Sequence, residues 1–79
     1  MSMRFYFDIH DDFYSSPDRD GGDFPNVQAA WIEAVTVATS IARDVFTAKG
    51  TQVTVSVRDD IQPLFEMTLT LTSKKLLGP

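Results

Sequence analysis

The residues best suited to acid–base chemistry lie near the N-terminus, where the single histidine, His10, stands among carboxylates. Alternate residues of a β-strand point to the same side, so Asp8 could orient the His10 imidazole for proton transfer. The chain offers no second histidine and no glycine-flanked serine that would complete such a site. We therefore interpret His10 as a surface residue near a turn and predict no catalytic residue and no enzyme activity.

A second cluster of oxygen-bearing side chains occupies residues 18–23, which read Asp-Arg-Asp-Gly-Gly-Asp. The spacing is similar to that of a calcium loop, but a helix-loop-helix calcium site needs a bidentate Glu at its twelfth position. Counting from Asp18, that position holds Ala29. Gly21 and Gly22 also lack the strand-to-helix frame and the following Lys of a phosphate-binding loop. We interpret the segment as a solvated turn and expect no metal and no cofactor.

Charge and composition narrow the classes of partner. Seven basic and eleven acidic residues give a net charge of −4, and the acids between Asp8 and Asp23 would repel a phosphate backbone. Direct nucleic-acid binding is therefore not expected. The absence of cysteine excludes disulfides and Cys-ligated zinc. No apolar run is long enough for a membrane span or a signal peptide, so we expect a cytoplasmic protein that does not bind membranes.

Alternation of apolar and polar residues predicts two β-hairpins, one on either side of a central segment. Turns are expected at Asp11-Asp12 and Asp59-Asp60, because short acids bond to nearby backbone amides. Residues 17–26 are predicted to be a loop in which Phe24 alone is anchored, and residues 73–79 a frayed tail. The predicted strands cover residues 3–9, 13–15, 51–58 and 64–72.

Residues 27–49 predict a single helix, with Asn26 as its N-cap and Gly50 as the left-handed residue that closes it. Trp31 lies on the apolar stripe, so we expect it to pack against the sheet; the alternative is a half-exposed anchor for a partner. Trp31→Ala would cost about 3 kcal/mol or more of stability in the first case and would only weaken association in the second. The predicted stripe comprises Val27, Trp31, Ala34, Ala38, Ile41 and Val45, widened by Ala30, Ala42 and Phe46.

The element order is therefore β-β-α-β-β over one small domain, residues 1–79. It predicts an α+β fold in which one long helix packs on one face of a four-stranded, mostly antiparallel sheet. Strand order remains open. The other face of the sheet should be polar and available for contacts. Its predicted residues are Tyr6, Asp8, His10, Thr54, Ser56, Arg58, Thr68 and Thr70.

Five segments span most of the chain, roughly residues 4–70: Arg4–Asp11, Pro17–Gly21, Phe24–Ala30, Glu33-Ala34 and Val55–Asp59. Together they resemble a family of short uncharacterised bacterial proteins classed as a domain of unknown function. The resemblance implies a class of protein and no activity. This chain departs from the family in having Asn26 where the family tends to have Asp, and a bulky Trp31 early in the helix.

A looser likeness is carried by three short segments, Asp20–Gly22, Phe24–Asn26 and Ala29–Ala34. They resemble antitoxin domains of bacterial toxin–antitoxin pairs with a partial ribonuclease-H-like fold. This likeness implies a regulator that masks a partner nuclease, with the acidic loop at residues 18–23 imitating a phosphate track.

Two functions are therefore carried forward. The first is a non-enzymatic module that acts through a protein partner or through self-association, because an open sheet has two edges and a bare face. The alternative is the antitoxin-like regulator. A small-ligand site at His10 and its acids ranks last, because we expect a chain this short to lack a pocket of several hundred Å³.

Overall fold

A computed structural model describes residues 2–78, which form five strands and one helix. All strand pairs are antiparallel, in the order β2-β1-β4-β5, and β3 pairs with β1 beside β2. The predicted α+β class and the ββαββ order are confirmed, with β3 as a short addition. The elements are β1 (Met3–Asp11), β2 (Ser15–Ser16), β3 (Gly22–Phe24), α1 (Val27–Thr47), β4 (Gln52–Arg58) and β5 (Pro63–Thr70).

The segment between β1 and α1 differs from the prediction in two places. The return strand lies at Ser15–Ser16, because the Asp11 carboxylate accepts from the amides of Phe13 and Tyr14 and holds them in the turn. Gly22–Phe24, predicted as loop, pairs with Met3–Phe5 as β3. Three residues with a glycine and an acid carry no alternation signal, so only the pairing with β1 makes them a strand.

The helix packs on the sheet through alanines. The buried residues of α1 are Ala30, Ala34, Ala38, Ala42 and Val45. They lie against Phe5, Phe7, Val53, Val55 and Val57 of the sheet. Small side chains on the inner face let the helix backbone approach the sheet closely.

The prediction for Trp31 is half right: its ring contacts the sheet at Phe65, but it is not buried in the core. Its side chain is 45% exposed, and that of Val27 is 44% exposed. A bulky indole beneath the helix would hold the two layers apart, so Trp31 lies on the flank of α1 instead.

Both ends of α1 show a specific contact. The Asn26 carboxamide oxygen accepts from the Ala29 amide at 2.8 Å, which confirms the predicted N-cap. At the other end the left-handed residue is Lys49, with φ 74°, and the expectation of Gly50 there is wrong. Gly50 is needed for space instead, because a Cβ there would lie 2.5 Å from a methyl carbon of Val45.

The polar face opposite the helix is present as predicted. In the β1–β4 register, Asp8 faces Ser56 and His10 faces Thr54. Thr54 and Thr68 join their hydroxyls across β4 and β5 at 2.9 Å. Residues 73–78 of the predicted tail are exposed and have no regular secondary structure. The ends of the predicted domain and tail, Met1 and Pro79, lie outside the described residues.

No helix in the described part of the chain has both the length and the apolarity needed to cross a membrane.

The alanine packing can be tested by adding volume at its centre. Ala38→Leu should lower the free energy of unfolding by about 1–3 kcal/mol, because the interface between α1 and the sheet has no room for a larger side chain. Ser40→Leu, on the exposed side of the same helix, should change it by less than about 0.5 kcal/mol. Urea denaturation measures both values, and equal effects would contradict the close helix–sheet contact.

Candidate functional site

We call the polar face of the sheet, opposite the helix, the open face. Several of its polar side chains meet at Arg58, the last residue of β4. The Arg58 Nε donates to the Asp8 carboxylate at 2.8 Å, and Nη2 donates to the backbone carbonyl of Asp18 at 2.9 Å. The guanidinium carbon lies 4.5 Å from the centre of the Tyr6 ring, in cation–π range. We call Tyr6, Asp8, Asp18 and Arg58 the Arg58 cluster. It joins β1, β4 and the loop between β2 and β3.

Asp18 completes the hydrogen bonding of the outer edge of β1. β2 and β3 pair with the two ends of β1 and leave a gap between them. The Phe7 amide lies in this gap and donates to the Asp18 carboxylate at 3.1 Å. The other carboxylate oxygen of Asp18 accepts from the amides of Asp20 and Gly21, while the Asp18 amide donates to Asp8 at 2.8 Å. One side chain therefore takes the place of a missing piece of strand.

Hydrogen bonds in the Arg58 cluster favour the charged forms of Asp8, Asp18 and Arg58 and the neutral form of Tyr6. The hydrogen bond from Arg58 lowers the pKa of Asp8, and the same bond raises the pKa of Arg58. Burial works to raise the pKa of Asp18, but the amides of Gly21 and Phe7 outweigh it and the pKa is lowered. Donation to the Asp60 carboxylate, at 2.8 Å, raises the pKa of Tyr6. Each group thus stays in the protonation state that its hydrogen bonds require.

The structure does not form the Asp8–His10 dyad that the sequence suggested. Both carboxylate oxygens of Asp8 are engaged by Arg58 and by the Asp18 amide. His10 is exposed on the same face, opposite Ser15 on one side. The carboxylate therefore orients the guanidinium, and nothing in this arrangement prepares His10 for proton transfer.

The oxygens of the loop at residues 18–23 diverge. Asp18 turns inward to β1, and the Asp23 carboxylate pairs with Arg4 at 3.3 Å. Arg4 also donates to the backbone carbonyl of Asp20. Within residues 2–78, no three His, Cys, Asp or Glu side chains are grouped closely enough to hold a metal ion.

The expectation that so short a chain has no room for a pocket is wrong. A hollow of about 500 Å³ lies on the open face. It is lined by Asp8, Ile9, His10, Ser15, Pro17, Thr54, Ser56 and Glu66. The Asp8 carboxylate is already bound to Arg58, and that of Glu66 accepts from the Ser56 hydroxyl at 2.9 Å. The hollow thus presents no pair of carboxylates arranged for acid–base catalysis.

Asp12 makes a second structural contact that sequence reasoning missed. Its carboxylate accepts from the backbone amides of Thr51 and Gln52, both at 2.9 Å, and from the Thr51 hydroxyl. These bonds, led by that from Gln52, lower the pKa of Asp12. The turn after β1 is thereby tied to the start of β4. Sequence marked Asp12 only as a turn residue, since its partners lie 39 and 40 positions away.

The other edge of the sheet, formed by β5, pairs with no further strand of the described residues. The Leu71 amide donates inward to the Thr51 carbonyl, and inward bonds alternate along an antiparallel ladder. With the β4–β5 register, this alternation turns the backbone N–H and C=O groups of Glu66, Thr68 and Thr70 outward. Three residues of β5 therefore offer free donors and acceptors along an open edge.

An apolar flank of α1 lies beside this edge. The Trp31 ring packs on Phe65 of β5, with ring centroids 5.1 Å apart, and the indole remains half-exposed. Val35, one turn further along α1, is also exposed. We call the outer edge of β5 together with Trp31 and Val35 the β5 surface. It brings an unpaired strand and an aromatic side chain into one place, as binding surfaces often do.

Comparison with known proteins gives a family and no activity. The matching family model is described as "Domain of unknown function (DUF6894)", and the match spans residues 4–70. The chain belongs to this family. The family resemblance seen in the sequence is thereby confirmed, whereas the likeness to antitoxin domains is not shown. No curated protein and no solved structure matches the chain.

Loss of the Asp18 carboxylate should destabilise the fold. Asp18→Ala leaves the Phe7 amide without its partner and releases the loop, and should lower the free energy of unfolding by about 1–3 kcal/mol. Asp20→Ala is the matched control, because the contacts of Asp20 are made by its backbone. Thermal and urea denaturation of both variants test this, and equal stabilities would contradict the strand-completing role.

Acid should weaken the fold through carboxylates whose folded-state pKa is lowered, namely Asp8, Asp12, Asp18 and Asp59. Between the folded pKa and the unfolded value of about 3.9, the unfolded chain binds more protons. Their contribution is therefore present above about pH 5 and is lost as pH falls through the folded pKa values.

Asp12→Asn isolates one part of this effect. The wild type should exceed the variant in stability at pH 7. The gap should shrink towards pH 3, because Asp12 binds a proton more readily in the unfolded wild type than in the folded one. Urea denaturation at several pH values measures the gap. A gap that does not change with pH would show that the charge of Asp12 is irrelevant.

Proposed function

We propose that this domain is a non-enzymatic protein-interaction module that binds another protein chain through the β5 surface. The main support for the proposal is that one edge of the sheet is covered and the other is open. β2, β3 and the Asp18 carboxylate cover the edge formed by β1, whereas β5 is left open. Open edge strands readily pair with other chains, and proteins usually shorten, charge or cover them.

The composition of β5 supports the proposal. In Pro63–Thr70 the only charged residue is Glu66, and its carboxylate accepts from Ser56 on the open face. The strand carries no lysine that would discourage pairing. Pro63 stands at its very beginning and does not interrupt the outward groups at Glu66, Thr68 and Thr70. This edge thus lacks most of the features that prevent edge strands from pairing with other chains.

The mode of binding is the addition of a strand. A partner segment would bond to the outward backbone groups of β5, and its side chains would meet the Trp31 indole. Trp is a frequent anchor of interfaces because it buries a large area with few rotatable bonds. The partner-anchor alternative raised for Trp31 from the sequence therefore becomes part of the proposal.

The non-enzymatic part of the proposal is supported by the use that the fold makes of its polar groups. Asp8 and Arg58 bind each other, and Asp18 completes the edge of β1. These contacts stabilise the fold and occupy the polar groups of Asp8, Asp18 and Arg58, which supports a role other than catalysis.

We further propose that the module works in the bacterial cytoplasm, without direct contact with nucleic acid or membrane. The net charge of −4 supports the first exclusion, because phosphate backbones are bound through clusters of Lys and Arg.

Masking of a partner nuclease by the acidic loop is the alternative function, and it would use a different surface. Asp18 is turned toward β1 and Asp23 is bound by Arg4, so less negative charge is available to imitate phosphates. A nuclease partner that is retained by Trp31→Ala and lost with Asp20→Lys would support this alternative over the β5 surface.

The β5 surface can be tested by capturing partners from an extract of the native host. Wild-type chain should enrich a protein, either a different one or untagged copies of itself, that Trp31→Ala loses by about tenfold or more. The variant should stay folded, because the half-exposed indole contributes less than the about 3–5 kcal/mol of a fully buried aromatic. Quantitative mass spectrometry measures the enrichment, and circular dichroism checks the fold.

The control for this experiment is Tyr14→Ala, which removes another exposed aromatic from the turn before β2. It should leave the enrichment unchanged. If no captured protein depends on Trp31, or if both variants lose the same protein, the proposed binding surface is wrong.

A further inference from the structure

We infer that the chain bound at the β5 surface is a second copy of this protein, with the two β5 strands antiparallel about a twofold axis at Met67. The inference rests on the proposed function and names its partner. The resulting dimer would have one sheet running through both copies, with both helices on the same side.

The backbone of β5 is complementary to itself in this arrangement. In an antiparallel pair, residues with outward N–H and C=O groups face one another. With the axis at Met67, Glu66 of one copy faces Thr68 of the other, and both have outward groups. An axis at Glu66 would instead place two carboxylates opposite each other, which destabilises a strand pair.

The side chains on the helix side of β5 also fit a second copy. Phe65, Met67 and Leu69 are partly buried and pack against the core. With the axis at Met67, each Met67 faces its counterpart, and each Phe65 faces Leu69 of the other copy. The apolar row would therefore continue across the junction. Trp31 and Val35 of each copy would lie above it, which would remove their exposed area from water.

Charges at the two ends of β5 distinguish a second copy from an unrelated strand. The turn before β5 is acidic and contains Asp59 and Asp60, of which Asp60 also accepts from the Tyr6 hydroxyl, whereas Lys74 and Lys75 follow the strand. Antiparallel pairing brings the turn of one copy beside the lysines of the other, twice in each dimer. Parallel pairing would bring like charges together at both ends. The chain thus carries both halves of a charge match on either side of one open strand.

Exposed apolar residues lie at the same two ends. Ile61 in the turn is 90% exposed, and Leu76 and Leu77 in the tail are 83% and 86% exposed. Antiparallel pairing places the tail of one copy along the turn of the other, so these side chains gain partners. Self-complementarity of a single patch is what a twofold interface requires.

Light scattering during size exclusion tests the dimer over a range of concentrations. The wild type should show twice its monomer mass of 8.8 kDa at high concentration. Thr68→Pro removes an outward N–H that makes no bond to β4, and should weaken dimerisation by about tenfold or more. Thr68→Val is the matched control: it loses the same hydroxyl, keeps the N–H, and should dimerise normally. A wild type that stays monomeric at all concentrations would overturn the inference.

Single cysteines test the position of the axis, because the natural chain has none. Met67→Cys should form a disulfide-linked dimer under mild oxidation, since residues on the axis face each other within disulfide range. Ser40→Cys, on the exposed side of α1, should stay unlinked. Equal linking of the two variants, or linking at Thr68→Cys in place of Met67→Cys, would overturn the stated axis.

The charge match has its own test. Lys74→Glu combined with Lys75→Glu should weaken the dimer severalfold, whereas Lys74→Arg combined with Lys75→Arg keeps both charges and should dimerise normally. A charge-reversed double variant that dimerises like the wild type would contradict antiparallel pairing.

Failure of this inference can be told apart from failure of the proposed function. A monomeric wild type that still captures a different protein through Trp31 would overturn the second copy and leave the interaction module standing. A monomeric wild type that captures nothing through Trp31 would overturn both.

Discussion

The backbone amides at the edges of this sheet need hydrogen-bond partners, and the two edges meet that need differently. Along β1 the partners come from two short strands and from the Asp18 carboxylate, which accepts from the Phe7 amide. Arg58 and Asp8 then hold the loop that carries Asp18. Asp8, Asp18 and Arg58 therefore help to close one edge of the sheet.

The inner face of α1 is built mainly of alanines, which let the helix pack closely on the sheet. There is no room beneath the helix for the Trp31 indole, which is placed on the flank against Phe65 of the edge strand. The close packing of the helix on the sheet therefore also explains why the Trp31 indole is exposed beside the open edge. Binding through β5 would use a surface that the packing of the core creates.

The chain belongs to a domain family of unknown function, so the evidence for its role comes from its own contacts. In the sequence, Asp8 and His10 have the residue types of an acid–base pair, and the acids of residues 18–23 have those of a calcium loop. In the structure Asp8 binds Arg58, Asp23 binds Arg4, and His10 is exposed. The alternation in the sequence correctly predicted that Asp8 and Arg58 share one face of the sheet. It could not predict that they bind each other, because they lie 50 positions apart and local spacing carries no information about such partners.

The sequence by itself determined the elements whose signal is local: the alternation of β4 and β5, the Asn26 cap, and the apolar stripe of one long helix. It also determined which residues share the polar face, because strand periodicity does not depend on the partner. Only the tertiary structure decided that Gly22–Phe24 is a strand, that Asp18 fills the edge of β1, and which part of the helix stripe is buried. These features depend on contacts between distant segments and on the space between layers, neither of which is written in the local order of residues.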